Sequence, residues 1–240
     1  MFNSKILKRF KNINHFYFTK RGGFSKGIYN SLNCGKGSKD NKRDVEKNLN
    51  LVSKKMKIEK KKLLLMNQTH SNRVIIVEKK NKNIKRFKSD AIITKMKGFG
   101  LGVVTADCAP IMLYDAKNEI IGCIHAGWKG ALSGIIEKTI LKFRKLNSNN
   151  EIYSCIGPCI GKKSYEVDLA FYKKFISKSQ KNIIYFTFKN NGKKLFDLRK
   201  YISDKLVKLN IKVDSINRDT FKERTVFFSY RRSKKLHQND

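Results

Sequence analysis

Apolar residues recur at helical spacing in three parts of the chain. Val45, Leu49, Val52 and Met56 line one face of a predicted helix over 44–57, whose other face is rich in lysine. Leu132, Ile135, Ile136, Thr139, Ile140, Phe143 and Leu146 carry a second helix that starts after Gly130, and Leu195, Leu198, Ile202, Leu206 and Leu209 a third. Residues 167–176 also read as helical. Between these lie apolar runs with the length of buried strands, at 63–66, 74–77, 91–94, 101–105, 120–124, 152–156, 183–188, 211–216 and 225–228. Several of these strands follow one another with no helix between them. The pattern predicts an α/β (α+β) fold, a layered sandwich with a mixed sheet flanked by helices, rather than a pure βαβ series. Ile6, Leu7 and Phe10 read as a packed first element. Residues 78–88 read as a charged surface connection, 147–150 as a polar break, 190–192 as a turn, and 229–240 as a polar end. No stretch rich in Pro, Gly and Ser divides the chain, so one domain over 1–240 is expected.

Reactive residues fall where apolar runs end. The run at 101–105 leads to Asp107 and Cys108, the run at 120–124 to His125, and the run at 63–66 to Gln68 and His70. Side chains just past buried strands face the crevices where open sheets bind ligands. Two imidazoles and a thiolate make a zinc set, and three protein donors leave a fourth position open. The spacing, 38 residues from His70 to Cys108 and 17 from Cys108 to His125, matches no compact metal motif. Taken singly, each of these residues reads as core, where both types are common. A second chemistry fits the same residues: Cys108 as a nucleophile, His125 as its base and Asp107 as the group that orients the base. Upstream, Gly22-Gly23 permits close backbone approach to a ligand and Arg21 is placed to hold an anion.

Charge changes the picture less than its size suggests. Lysine and arginine number 54 against 19 acids, a formal net charge of +35. The cations are scattered over loops and helix faces, and no zinc-finger, homeodomain or RNP-like pattern accompanies them. The charge therefore reads as solvated surface that favours anionic substrates, with no specific nucleic-acid partner expected. Five cysteines are an odd number without framework spacing, no apolar run approaches membrane length, and the first residues lack the apolar core of a signal peptide. A cytoplasmic protein with reduced thiols and no membrane partner is expected.

The segments QTH (68–70), SDAIIT (89–94), TADCAPIMLYD (105–115), HAGWKG (125–130), IGPCIG (156–161) and FFSYRR (227–232) occur in this order. The set, with TKRGGFSKGIYNSLN (19–33) and Asp197-Leu198, resembles the bacterial laccase-like multicopper polyphenol oxidoreductase family, described as purine nucleoside phosphorylases with adenosine deaminase activity. The resemblance covers nearly the whole chain. It implies an α/β domain and a catalytic zinc, with copper as the other candidate, held by His70, Cys108 and His125. It also implies phosphorolysis of adenosine, inosine and methylthioadenosine, and deamination of adenosine. In that chemistry Arg21, Lys129 or Arg231 would hold phosphate, and Asp107 or Gln68 would position the nucleoside. The oxidase label itself fits poorly, because a multicopper centre needs a histidine-rich cluster and this chain has four histidines. Lys129 stands where the family more often has arginine, Asp219 where many members have cysteine, and many relatives continue past the position of Asp240. Two other readings stay open: a hydrolase that removes misplaced serine from a peptidoglycan precursor, and a basic binding protein with a structural zinc. The sequence leaves the preferred nucleoside and the oligomeric state open.

Overall fold

The structure, a computed structural model, describes residues 1–78, 87–147, 151–189 and 192–236. In chain order its elements are α1 (Lys42–Lys55), β1 (Leu63–Leu65), β2 (Val74–Val77), β3 (Ala91–Thr94), β4 (Gly100–Gly102), β5 (Ala109–Asp115) and β6 (Ile120–Ala126). They continue with α2 (Trp128–Leu132), α3 (Ile135–Asn147), β7 (Ile152–Ile156), β8 (Glu166–Val167), α4 (Leu169–Ile176), β9 (Phe186–Phe188), β10 (Lys194–Phe196), α5 (Leu198–Lys208), β11 (Lys212–Ser215) and α6 (Tyr230–Lys235). Six strands form a central sheet in the order β11-β7-β5-β6-β3-β2. The hairpin β5–β6 lies in the middle, β7 and β3 run antiparallel to it on either side, and the outer strands β11 and β2 are parallel to their neighbours. The expected mixed sheet flanked by helices is what forms.

Alternation along β5 and β6 decides which face each side chain takes. Ile111, Leu113, Ile120 and Ile124 join one core with Ile135, Ile136, Ile140 and Phe143 of α3, Phe175 of α4, and Leu198, Ile202 and Leu206 of α5. The opposite face meets two separate clusters. One contains Met66, Val77, Ile92, Leu101 and Cys123, near the parallel pair β1–β4; the other contains Leu7, Tyr17, Tyr114 and Cys155, closed by Phe2, Ile6 and Phe10 from the N-terminal segment. Met112 and Ile121 touch both clusters.

Several boundaries differ from the periodic reading. The strand expected at 101–105 pairs only over Gly100–Gly102, and the long strand is β5, which begins after Cys108. The helix expected after Gly130 is two helices, because Gly134 at φ +91° turns the chain between α2 and α3. The run at 167–176 starts as strand β8, and α4 begins only where the Asp168 carboxylate accepts from Phe171 N at 2.7 Å. Residues Gln180–Tyr185 wind as a 3-10 helix, leaving Phe186–Phe188 as the strand. Leu195 belongs to β10 and not to the helix, which Asp197 caps. Residues 225–228 form no strand, and the expected polar end begins with helix α6, capped by Ser229. Most of the connection at 78–88, and residues 148–150, 190–191 and 237–240, lie outside the described residues.

Candidate metal centre

The register of the central hairpin brings two donors together. Ala109 pairs with Ala126 and Pro110 with His125, so Cys108 lies just outside β5 opposite Gly127, and His125 is inside β6. Neither residue follows a strand in the way the apolar runs suggested; one precedes its strand and the other belongs to it. His70 arrives from the turn between β1 and β2, with φ at +56°.

One buried carboxylate fixes this arrangement. Asp90, fully buried at the start of β3, places Oδ1 2.8 Å from His125 Nδ1 and accepts from His70 N at 3.0 Å. Its Oδ2 accepts from Ser71 N at 2.6 Å, Ser71 Oγ at 2.7 Å and Thr69 N at 3.2 Å. Burial opposes its charge, but the hydrogen bonds from His125 and Ser71 outweigh burial and hold its carboxyl well below the usual range. With Nδ1 held by Asp90, His125 presents Nε2 as its free donor, the relation found behind metal-bound imidazoles.

Cys108 Sγ lies 3.7 Å from His70 Nε2, and donor atoms of His70, Cys108 and His125 all lie within 4.8 Å of one another. Sulfur and nitrogen on one tetrahedral zinc are separated by about 3.6 Å, given bonds of about 2.3 and 2.05 Å. The Cys108–His70 separation matches that distance, and the three donors lie near enough to one another to gather on a cation of that size. Gly127 makes room for it: a Cβ there would stand 2.8 Å from Cys108 Sγ and 2.8 Å from His70 Cδ2. Burial, then the neighbouring His125, lowers the His70 pKa below its ordinary value, which keeps the imidazole neutral and able to ligate. Burial, with Asp107 close by, pushes the Cys108 thiol up to about 12. Such a thiol is protonated near neutral pH, which suits a ligand that releases its proton to solvent as a metal binds better than a free nucleophile. Among the described residues this is the one group of three or more such donors.

The other predicted residues are placed as follows. Asp107, at φ +97°, accepts from Thr220 Oγ1 at 2.7 Å, Ser229 Oγ at 2.9 Å and Arg231 N at 2.7 Å. It therefore fastens the C-terminal segment beside Cys108, and the group that orients His125 is Asp90, not Asp107. Gln68 spends both ends of its amide on Val104, donating to its O at 2.7 Å and accepting from its N at 2.8 Å. Arg231 donates to Glu166 O at 2.7 Å, and its guanidinium carbon lies 5.3 Å from the Tyr165 ring centre. Lys129 is exposed, with its amine 5.7 Å from the Trp128 ring centre, and Trp128 packs on Phe171. Arg21 is exposed and donates through Nε to Thr225 O at 3.0 Å. Sequence reasoning missed Asp90, Thr220 and Ser229. For Asp90 the available signal was an acid directly ahead of the wholly apolar start of β3.

Known proteins resemble this chain over most of its length. The family model described as "Multi-copper polyphenol oxidoreductase laccase" matches residues 14–237. A protein of Haemophilus influenzae named "Purine nucleoside phosphorylase" is 33% identical over 225 residues, covering 92% of this chain and 90% of the relative. A Bacteroides thetaiotaomicron protein of the same name is 33% identical over 184 residues, 73% of this chain and 68% of the relative. Among solved structures, YlmD from Geobacillus stearothermophilus superposes with a TM-score of 0.84 at 25% identity, covering 90% of this chain and 85% of the other.

Proposed function

The chain belongs to the multi-copper polyphenol oxidoreductase laccase family, and from that membership and its three-donor cluster we propose that it is a zinc-dependent purine nucleoside phosphorylase that also deaminates adenosine. The observation that carries the reading is the His70–Cys108–His125 cluster, pre-ordered by Asp90 and made of three protein donors among the described residues. Relatives at 33% identity named purine nucleoside phosphorylase support the reaction class. A structural zinc is normally closed by four protein ligands, so three donors favour a catalytic role over a binding protein. When bound, the zinc would supply Lewis acidity beside the substrate.

The rest is the work of the chain's own residues. In phosphorolysis a phosphate oxygen bonds to ribose C1′ as the bond to purine N9 breaks, and the purine leaves with a proton. In deamination water replaces the amino group at C6 and ammonia departs. Lys129, exposed at the N-terminal turn of α2, is free to approach a phosphate; Arg21 and Arg231 are the other candidates. Asp107 and Gln68 act as positioning residues, Asp107 by holding Arg231 N and Gln68 by holding Val104. Nucleoside and phosphate are the partners, and the basic surface draws in the anion without reading nucleic-acid sequence.

The test is incubation of the purified protein with adenosine and phosphate, followed by separation of products. Adenine with ribose 1-phosphate reports phosphorolysis and inosine reports deamination. Both should vanish on chelation and return with zinc. Absence of both from zinc-loaded protein would overturn the reading.

A further inference from the structure

The two apolar clusters on the second face of the central sheet do not close over one another. Between them runs a cavity of about 620 Å³, bordered by Leu101 and Cys123 of one cluster, Tyr17 and Tyr114 of the other, and the shared Met112 and Ile121. That volume lies within the roughly 300–1,000 Å³ of small-molecule sites. His70, Cys108 and His125 are not among its walls, so it is distinct from the metal centre. It follows β5 from Pro110 to Tyr114, about 13 Å at the strand rise of about 3.3 Å per residue, and extends past both ends to Thr220 and Lys97. An apolar cavity of this length suits an extended chain better than a flat, polar-edged base.

The charged groups in its wall indicate the other end of the ligand. Four lysines, Lys20, Lys57, Lys95 and Lys97, face one acid, Glu119. Lys97 is paired with Glu119, and Lys95 donates to Leu146 O at 2.6 Å. Lys20 has no carboxylate partner among the described residues; burial and the nearby Arg232, Arg224 and Arg21 lower its pKa. Its backbone is pinned, with Lys20 N donating to Val226 O at 2.9 Å and its carbonyl accepting from Ser31 and Leu32, and its amine lies 5.7 Å from the Phe228 ring centre. A partly desolvated ammonium without a carboxylate partner in the wall of an apolar channel is a receptor for one anionic head group.

We infer that this cavity binds a free long-chain carboxylate, with its alkyl chain along Met112 and Ile121 and its head group at Lys20. The test is a titration of the full chain with cis-parinaric acid, followed by its fluorescence at about 0.15 M salt to suppress surface charge. One saturable equivalent, displaced by palmitate and not by butyrate, is expected. Lys20→Met should weaken binding about ten-fold or more, as loss of one charge-assisted contact requires, while Lys20→Arg retains it. Ile121→Trp fills the channel and should abolish binding; should that variant fail to fold, the Lys20 pair decides. No saturable binding, many equivalents lost with salt, or equal affinity in wild type and Lys20→Met would overturn the assignment. The titration reads carboxylate binding alone and is independent of phosphorolysis, so a protein without phosphorolytic activity would still show the saturable site.

Discussion

Asp90 does two things with one carboxylate, holding the turn that carries His70 and the imidazole of His125. Asp90→Asn keeps the shape and removes the charge. It should weaken zinc about 10–100-fold, as loss of such an outer partner does, read by competition with a chromophoric chelator while the circular dichroism spectrum stays unchanged. Gly127→Ala tests the space itself: its Cβ would stand 2.8 Å from Cys108 Sγ. Loss of bound metal is expected, with an unfolding temperature within a few degrees of wild type. The clustering of His70, Cys108 and His125 was legible in the sequence because histidine and cysteine beside apolar runs carry an intrinsic chemical signal. Asp90 was not, because an acid ahead of a strand reads as a turn residue until the fold shows that it is buried.

Elements with a repeating apolar face were legible and those defined by partners were not. Helix α1 follows Val45, Leu49 and Val52, all buried. The apolar spacing runs on through Ser133 and Gly134, so periodicity alone joins α2 to α3, although the left-handed glycine separates them. Strand β5 contains Pro110 and a polar end, which obscured it, yet it is central because β6 and β7 pair on both its sides. Helix α6 owes its place to Asp107, which holds Ser229 and Arg231 at its start. Asp107→Ala strips three hydrogen bonds from a charged acceptor and should destabilise the protein by about 3 kcal/mol. Limited proteolysis should then cut the segment between Thr220 and Arg231 faster than in wild type.

Across the whole molecule, the N-terminal segment is tied to the far edge of the sheet, and these ties respond to pH. His15 is buried and accepts from Ser4 N at 2.9 Å; burial, opposed by that hydrogen bond, lowers its pKa. Its unfolded value is about 6.5, so the folded chain binds fewer protons below that pH; the stability His15 contributes is full above about 6.5 and is lost as pH falls through its folded value. Asp214 on β11 behaves alike at lower pH. Burial opposes its charge, but bonds from Ser4, Ile6, Ser215 and Lys5 prevail and depress its pKa, so its contribution is present above about 3.9 and is lost below. The unfolding temperature should therefore fall between pH 7.5 and 5.5, and His15→Gln, which keeps an acceptor for Ser4 N, should flatten that fall. The fold class was legible at this scale, since strands following strands announce a mixed sheet. The channel between the two clusters was not, because it is made by surfaces that fail to meet. The shared grip of Asp90 has a consequence for metal exchange. Asp90 holds the ring of His125 and the backbone N of His70, so two members of the cluster are placed by one carboxylate before any ion arrives. In the proposed metal site, one ion should then replace another without the fold changing, which circular dichroism recorded across the exchange checks.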